Sequence, residues 1–155
     1  MMKETITQKL IALDLEGQDK EEVIQQLANL LAEDGRLNNR DAYIRNVQER
    51  ERLTTTGIGF GIAIPHGKTD AVKDVSVAIG RLQTPVEWDA MDGKPVTMVF
   101  QIAVPEASKG NEHLRLISAL SRQLIHQEFR DQIMNATSSQ EVLDLLGNSL
   151  EKTPA

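Results

Sequence analysis

Residues 54–67 read TTTGIGFGIAIPHG, and at this stretch the chain changes from a helical to an extended pattern. Three threonines and four glycines surround a short apolar run that Pro65 interrupts. Glycine-rich runs favour turns, and proline is tolerated in sheets mainly at edges and at the ends of strands. The stretch therefore predicts a loop that leads into a short strand.

Helical patterns precede this stretch. Asp19 and Glu22 resemble a capping box, and apolar residues then recur at helical spacing until Gly35, which predicts a helix over residues 20–33. A second helix is predicted over residues 41–52, where one side is apolar and the last turn is densely charged.

Strands and further helices follow residues 54–67. Residues 75–82 and 96–104 are rich in aliphatic and β-branched side chains and predict two strands. Residues 112–126 return to helical spacing, and a serine at 138 or 139 caps a last helix that runs to about residue 146.

Helices at both ends with strands between them predict an α/β fold, in which a mixed β-sheet is flanked by helices on both faces. No internal repeat or linker is visible in the sequence. We therefore expect a single domain over residues 1–147 and a flexible C-terminal tail over residues 148–155.

The composition excludes several classes of function. The formal net charge is -6 and no long basic run occurs, so nucleic acid is not an expected partner. Cysteine is absent, which removes thiolate chemistry and fits the reducing cytoplasm. Neither a signal peptide nor an apolar stretch of about eighteen residues is present, so direct membrane insertion is not expected and a cytoplasmic location is predicted.

One histidine lies in the glycine-rich stretch. His66 follows a fixed proline, among glycines whose backbone amides can approach an anion closely. Imidazole is a competent nucleophile toward phosphorus near neutral pH, because its unperturbed pKa of about 6.5 leaves a large neutral fraction. Arg50 or Arg52 can offer a planar fork of donors to phosphate oxygens. Further candidates for phosphate binding are Thr55, Thr56, Gly57 and Gly59.

Other interpretations of these residues stay open. A glycine-rich turn that contains a histidine can be a structural bend. A dinucleotide site is disfavoured, because the GxGxG stretch lacks the GxGxxG spacing and precedes a strand. A P-loop is incomplete, because Gly67-Lys68-Thr69 lacks the first glycine at the required offset.

The three histidines do not predict a metal centre, and no cofactor is predicted. On a helix over residues 112–126, His113 falls on the margin of an apolar stripe, and His126 lies nearly opposite, toward solvent. The stripe consists of Leu114, Ile117, Leu124 and Ile125. From this spacing alone, His113 is explained equally well as a boundary histidine and as a functional one.

Three longer segments carry a resemblance to a known family. They are ERERLTTTGIGFGIAIPHGK at 49–68, WDAMDGKPVTMVFQIAVP at 88–105 and NEHLRLISALSRQL at 111–124. Together they closely resemble the fructose- and mannitol-type EIIA family of the phosphoenolpyruvate-dependent phosphotransferase system. The resemblance implies that His66 is the phosphorylated histidine, that His113 is a second active-site histidine, and that Arg50 binds phosphate. His126 matches no family role.

The resemblance also implies partners. A family member takes a phosphoryl group from the phosphohistidine of HPr and delivers it to a cysteine of an EIIB component, whose partner EIIC is the sugar permease. The leading expectation is that this chain is a stand-alone A component that serves fructose-type sugar uptake. The alternative is a regulatory, nitrogen-related EIIA that signals through phosphorylation-dependent protein binding. An apolar rim of Ile58, Phe60 and Ile64 is expected around His66, although Phe60 fits a core anchor equally well.

Overall fold

The computed structural model describes residues 5–108 and 112–151, apart from the side chains of residues 112, 113 and 147–151. Within these residues the chain forms one mixed sheet of six strands, five α-helices and a short 3-10 helix, Gln8–Leu10. The strands are β1 (Ile11–Leu15), β2 (Gly57–Gly59), β3 (Ile62–Ala63), β4 (His66–Thr69), β5 (Ser76–Val86) and β6 (Val96–Pro105). The helices are α1 (Lys20–Glu33), α2 (Arg40–Leu53), α3 (Glu112–Leu124), α4 (Gln127–Met134) and α5 (Ser139–Glu151).

The sheet is organised around β6. Its strand order is β1-β5-β6-β3-β2, and β4 pairs with β6 further along the same side as β3. The β5–β6 pair is antiparallel, whereas β1 on β5 and both β3 and β4 on β6 are parallel. The strand β4 therefore lies at an edge of the sheet, where His66 is opposite Ile102.

Two hydrophobic cores cover the two faces of the sheet. Along β6, Val99 and Ala103 pack with α1 and α2, whereas Phe100, Ile102 and Val104 pack with α3, α4 and α5. This division follows from the period of two in a strand, which sends alternate side chains to opposite faces. The predicted α/β fold, with helices on both faces of a mixed sheet, is confirmed.

Local signals set the ends of the first two helices. The Asp19 carboxylate accepts a hydrogen bond from the Glu22 backbone N–H at 2.9 Å, and Gly35 has the positive φ of 71° that commonly terminates a helix. The Asn39 side chain caps α2 in the same way, at 3.1 Å from the Ala42 N–H. Both helices match their predicted ranges to within one residue at each end.

Several elements differ from the prediction. The strand β1 was not predicted, and residues 54–67 contain two short strands and the start of a third. The predicted helix over 112–126 ends at Leu124, and α4, which was not predicted, follows it. The predicted last helix ends five residues later, at Glu151, so part of the predicted tail is helical; residues 152–155 lie outside the described residues.

The predicted apolar stripe of α3 is also wrong in part. Leu114 and Ile125 are 50% and 57% exposed, whereas Leu120 and Leu124 are buried against the sheet. Ile125 lies beyond the end of α3, where the chain turns into α4, and this change of direction removes it from the face that the helical period assigned to it.

The helix α2 approaches β4 closely at Gly67. A Cβ atom added to Gly67 would lie 2.7 Å from Asn46 Oδ1 and 3.1 Å from a Val47 methyl group. Only a residue without a side chain fits this position unless α2 moves. The middle of α2 is therefore held against the strand that begins with His66.

We predict that Gly67→Ala lowers the free energy of unfolding by about 1–3 kcal/mol, the usual cost of an overpacked core contact. Urea denaturation measures this change. Adding Asn46→Ala removes the nearest atom and should restore part of the loss. Strictly additive effects of the two substitutions would contradict the close contact.

Candidate functional site

A tight hairpin leads into the candidate site. The strands β2 and β3 are antiparallel, and the turn between them contains Phe60 and Gly61, both with positive φ angles, of 61° and 77°. After β3 the Pro65 carbonyl accepts a hydrogen bond from the Ile102 N–H at 2.9 Å. This bond attaches the chain to β6 immediately before His66.

A backbone carbonyl holds the imidazole ring of His66. Its Nδ1 atom lies 3.0 Å from the Ile64 carbonyl oxygen. A carbonyl oxygen only accepts hydrogen bonds, so Nδ1 carries the proton in this arrangement. In the neutral ring the lone pair is then on Nε2. The half-buried His66 side chain thus has a defined tautomer whose Nε2 can act as a nucleophile.

His66 lies on the face of the sheet that α3, α4 and α5 cover. Its partner Ile102 belongs to the core on that face, and the next residue, Gly67, abuts α2 on the other face. His113 lies in the first turn of α3, and its side chain is outside the described residues. The role of His113 as a second active-site histidine stays a prediction.

Arg50 and Arg52 have different surroundings at the end of α2. Arg50 lies one helical turn after Asn46, which contacts Gly67, and its Nη1 donates to the Thr54 carbonyl oxygen at 2.8 Å. The side chain is half-buried, whereas Arg52 is exposed. The structure thus favours Arg50 over Arg52 as the cation nearer to His66.

The other phosphate-binding candidates have partners within the protein. The Thr55 hydroxyl donates to the Trp88 carbonyl at 3.0 Å and accepts from the Gly57 N–H at 3.1 Å. A Cβ atom on Gly57 would lie 2.8 Å from the Cβ of Ala90, so this glycine is needed for packing. These contacts disfavour phosphate binding by Thr55 and Gly57.

Thr56 and Gly59 also have partners within the protein. Thr56 is buried, and both its N–H and its hydroxyl donate to the Glu51 carboxylate. Gly59, with a φ of 101°, belongs to the hairpin and lies against the Asp92 carboxylate. A neighbouring carboxylate repels an anion, so these two residues are also poor phosphate ligands.

Glu51 was not among the predicted site residues. This residue is 8% exposed and forms a buried cluster with Thr56, Lys20 and Trp88. Its position inside a charged run suggests solvent exposure. Its helical spacing does indicate burial, because Glu51 is four residues after Val47 and eight after Tyr43, on the buried side of α2.

Phe60 is exposed at the hairpin turn, so its role as a core anchor is excluded. The side chain is 55% exposed, and the Arg130 guanidinium carbon lies 4.2 Å from the ring centroid. The Phe60 N–H donates to Asp92, whose pKa is lowered chiefly by a hydrogen bond from the Lys94 N–H. Ile64 is buried in the core and does not belong to an apolar rim, while Ile58 is half-buried.

Several remaining features have no assigned role at His66. His126 is exposed between α3 and α4, as predicted. Among the described side chains, no three His, Asp or Glu residues are grouped as metal ligands would be. A cleft of about 640 Å³ between α4 and α5, lined by Glu128, Asp131 and Glu141 with polar neighbours, contains none of the predicted site residues. No helix in the described ranges is long and apolar enough to cross a membrane.

Comparison with known proteins assigns the family. The sequence model of "Phosphoenolpyruvate-dependent sugar phosphotransferase system, EIIA 2" matches residues 4–149. The fructose-specific EIIA component of Haloferax volcanii is 45% identical over 143 residues, which are 92% of this chain and 92% of that protein.

Two solved structures are also similar. Nitrogen Regulatory Protein IIA-Ntr from Neisseria meningitidis has a TM-score of 0.81 and 32% identity, with 92% of this chain and 96% of that chain covered. Enzyme IIA of the mannitol system from Escherichia coli, solved in complex with phosphorylated enzyme IIB, has a TM-score of 0.79 and 27% identity, with 92% and 97% covered.

The fold and these similarities define a phosphoryl-carrier domain. The chain belongs to the EIIA type 2 family of the phosphoenolpyruvate-dependent sugar phosphotransferase system. It is therefore a phosphotransferase component, and the family inferred from the three sequence segments is confirmed.

We predict that nitrogen NMR of the unphosphorylated protein, above the titration range of imidazole, shows a protonated Nδ1 and an unprotonated Nε2 in His66. The physical reason is the bond to the Ile64 carbonyl, which selects this tautomer. His126 is the internal control, because its ring is exposed and free to exchange between tautomers. A His66 ring protonated on Nε2 would contradict the assignment.

Proposed function

We propose that His66 accepts a phosphoryl group from the phosphohistidine of HPr and passes it to a cysteine of an EIIB component during sugar uptake. The observation that carries this proposal is the Nδ1–H bond from His66 to the Ile64 carbonyl. It fixes the ring of a half-buried histidine at a sheet edge, with Nε2 as the nucleophile. An edge position suits a residue that two macromolecules must reach in turn.

The proposed cycle balances without a net proton transfer at His66. Nε2 attacks phosphorus, and a new N–P bond forms as the N–P bond to the donor histidine breaks. Attack by the EIIB thiolate then forms an S–P bond and breaks the bond to Nε2. The ring returns to its neutral state. Throughout the cycle Nδ1 keeps its proton and donates it in a hydrogen bond to the Ile64 carbonyl oxygen.

Arg50 and His113 are the proposed partners of the phosphoryl group. The charge on the transferring group is spread over its three equatorial oxygens, and a guanidinium fork can donate to two of them. Arg50 lies one helical turn after Asn46, the residue of α2 that contacts Gly67 next to His66, and it would serve in this way after it releases the Thr54 carbonyl. His113 is proposed to assist from the first turn of α3, which covers the same sheet face as His66.

The proposed role is that of a cytoplasmic carrier in fructose-type sugar uptake, with EIIC as the permease. The fructose-specific name of the Haloferax volcanii relative supports the sugar class, and the IIA–IIB mannitol complex supports an EIIB partner. The similarity to the IIA-Ntr structure favours, as a second candidate, a regulatory protein that signals its phosphorylation state by binding targets. Phosphoryl transfer to a cysteine-bearing EIIB domain separates the two, because a purely regulatory protein would retain its phosphate.

We expect His66→Ala to abolish labelling when the protein is incubated with radioactive phosphoenolpyruvate, Enzyme I and HPr. Wild-type protein should carry an acid-labile, base-stable phosphate, which is typical of phosphohistidine. His126→Ala is the matched control and should label at the wild-type level, because His126 is exposed and matches no family role. Full labelling of the His66→Ala protein would refute the proposal.

Arg50→Lys should slow transfer by about tenfold, the effect of one charge-assisted hydrogen bond, because a point charge cannot replace the guanidinium fork. Rapid-quench kinetics with phospho-HPr measure the rate. Arg52→Lys is the matched control and should transfer at the wild-type rate, since Arg52 is exposed. Equal rates for the two variants would remove Arg50 from the proposed site.

A further inference from the structure

We infer that Glu51 is a positioning residue for phosphoryl transfer, because it holds the His66 imidazole through a chain of three hydrogen-bonded links. This inference rests on the proposed role of His66. Glu51 lies on α2, beside Arg50 in sequence, and its carboxylate points into the protein.

The first link joins Glu51 to Thr56. One carboxylate oxygen, Oε2, accepts from the Thr56 N–H at 2.9 Å, and the other, Oε1, accepts from the Thr56 hydroxyl at 2.5 Å. Lys20 Nζ lies 3.3 Å from Oε2 and partly neutralises the buried charge. A carboxylate can accept both bonds at once because it has acceptors only.

The second and third links join Thr56 to the imidazole. The Thr56 carbonyl accepts from the Ile64 N–H at 2.9 Å, and the Ile64 carbonyl accepts from His66 Nδ1 at 3.0 Å. The pairing of Gly57 with Ala63 continues the same ladder. Displacement of Thr56 therefore moves the Ile64 peptide, and with it the acceptor that sets the His66 tautomer and ring direction.

The negative charge is what Glu51 specifically contributes. A glutamine at this position would have one acceptor oxygen and an NH₂ group, and that group cannot accept from either Thr56 donor. The Thr56 hydroxyl would then have to turn and accept from the amide, so a short charge-assisted bond would become a weaker neutral one, and Lys20 would lose its ion-pair partner. We expect the loop that contains Thr56 to stay folded, because the Trp88 Nε1–H also donates to the Thr56 hydroxyl oxygen, at 3.3 Å.

The test compares Glu51→Gln with Glu49→Gln, the same substitution at an exposed position of the same helix. For Glu51→Gln we expect transfer at saturating phospho-HPr to be about tenfold slower, since a small misplacement of a reacting group is costly. The phospho-HPr concentration that gives the half-maximal rate should not change. Nitrogen NMR should show both His66 tautomers. Glu49→Gln should match wild type in every measurement.

Two further variants separate positioning from loss of structure. Thr56→Val removes the hydroxyl and keeps the N–H bond to Glu51, so a smaller loss, of about threefold, is expected. Thr56→Ser retains both donors and should recover the rate relative to Thr56→Val. Emission from Trp88, the only tryptophan, reports whether each variant keeps its buried cluster.

Two results would overturn the inference. One is a folded Glu51→Gln protein with the wild-type rate and a single His66 tautomer. The other is slow transfer with an unchanged tautomer. If Glu51→Gln fails to fold, Thr56→Val decides by the same criteria. If wild-type protein takes no phosphate at His66, the proposed function fails, while the tautomer spectra of unphosphorylated proteins still test the role of Glu51.

Discussion

The buried carboxylate of Glu51 is the interaction on which the rest of the site depends. It accepts hydrogen bonds from both donors of Thr56, and it does so where the end of α2 meets the hairpin of β2 and β3. The hairpin of β2 and β3 starts at the next residue, and the strand that begins with His66 follows it. Arg50 is adjacent to Glu51 in sequence. The same turn of α2 therefore positions both Arg50, the proposed phosphate-binding cation, and Thr56, which begins the loop that orients the His66 imidazole.

The second constraint is the position of β4 at the edge of the sheet. Parallel pairing with β6 places His66 opposite Ile102, and contact with α2 at Gly67 prevents the strand from shifting. The buried Tyr43 hydroxyl adds a hydrogen bond of 3.0 Å to the Ile102 carbonyl, and burial raises its pKa far above the usual range, so that it remains a donor. The result is a rigid backbone beneath a half-exposed ring. Such a site can approach a second protein without a deep cleft, which fits a carrier that docks partners in turn.

Predictions succeeded where short-range signals decide the structure. The ends of α1 follow from the Asp19 cap and from Gly35, and both signals lie within a few residues of the helix. The strand β1 was missed because its five residues become a strand only through parallel pairing with β5, which is more than sixty residues away in sequence. The face of α3 was misassigned because the chain turns at Ile125, and helical spacing alone does not reveal a turn.

By itself, the sequence determined the family, the two-faced α/β sandwich and His66 as the candidate nucleophile, because motifs and hydrophobic periodicity are local properties of the chain. Only the tertiary structure decided which polar groups are available. Thr55 and Thr56 appear in sequence as phosphate donors, yet Trp88 and Glu51 bind them after folding. The tautomer of His66 was equally hidden, since it depends on a carbonyl that the Thr56–Ile64 hydrogen bond holds in place. Hydrogen-bond partners are set by three-dimensional proximity, and a linear pattern does not contain that information.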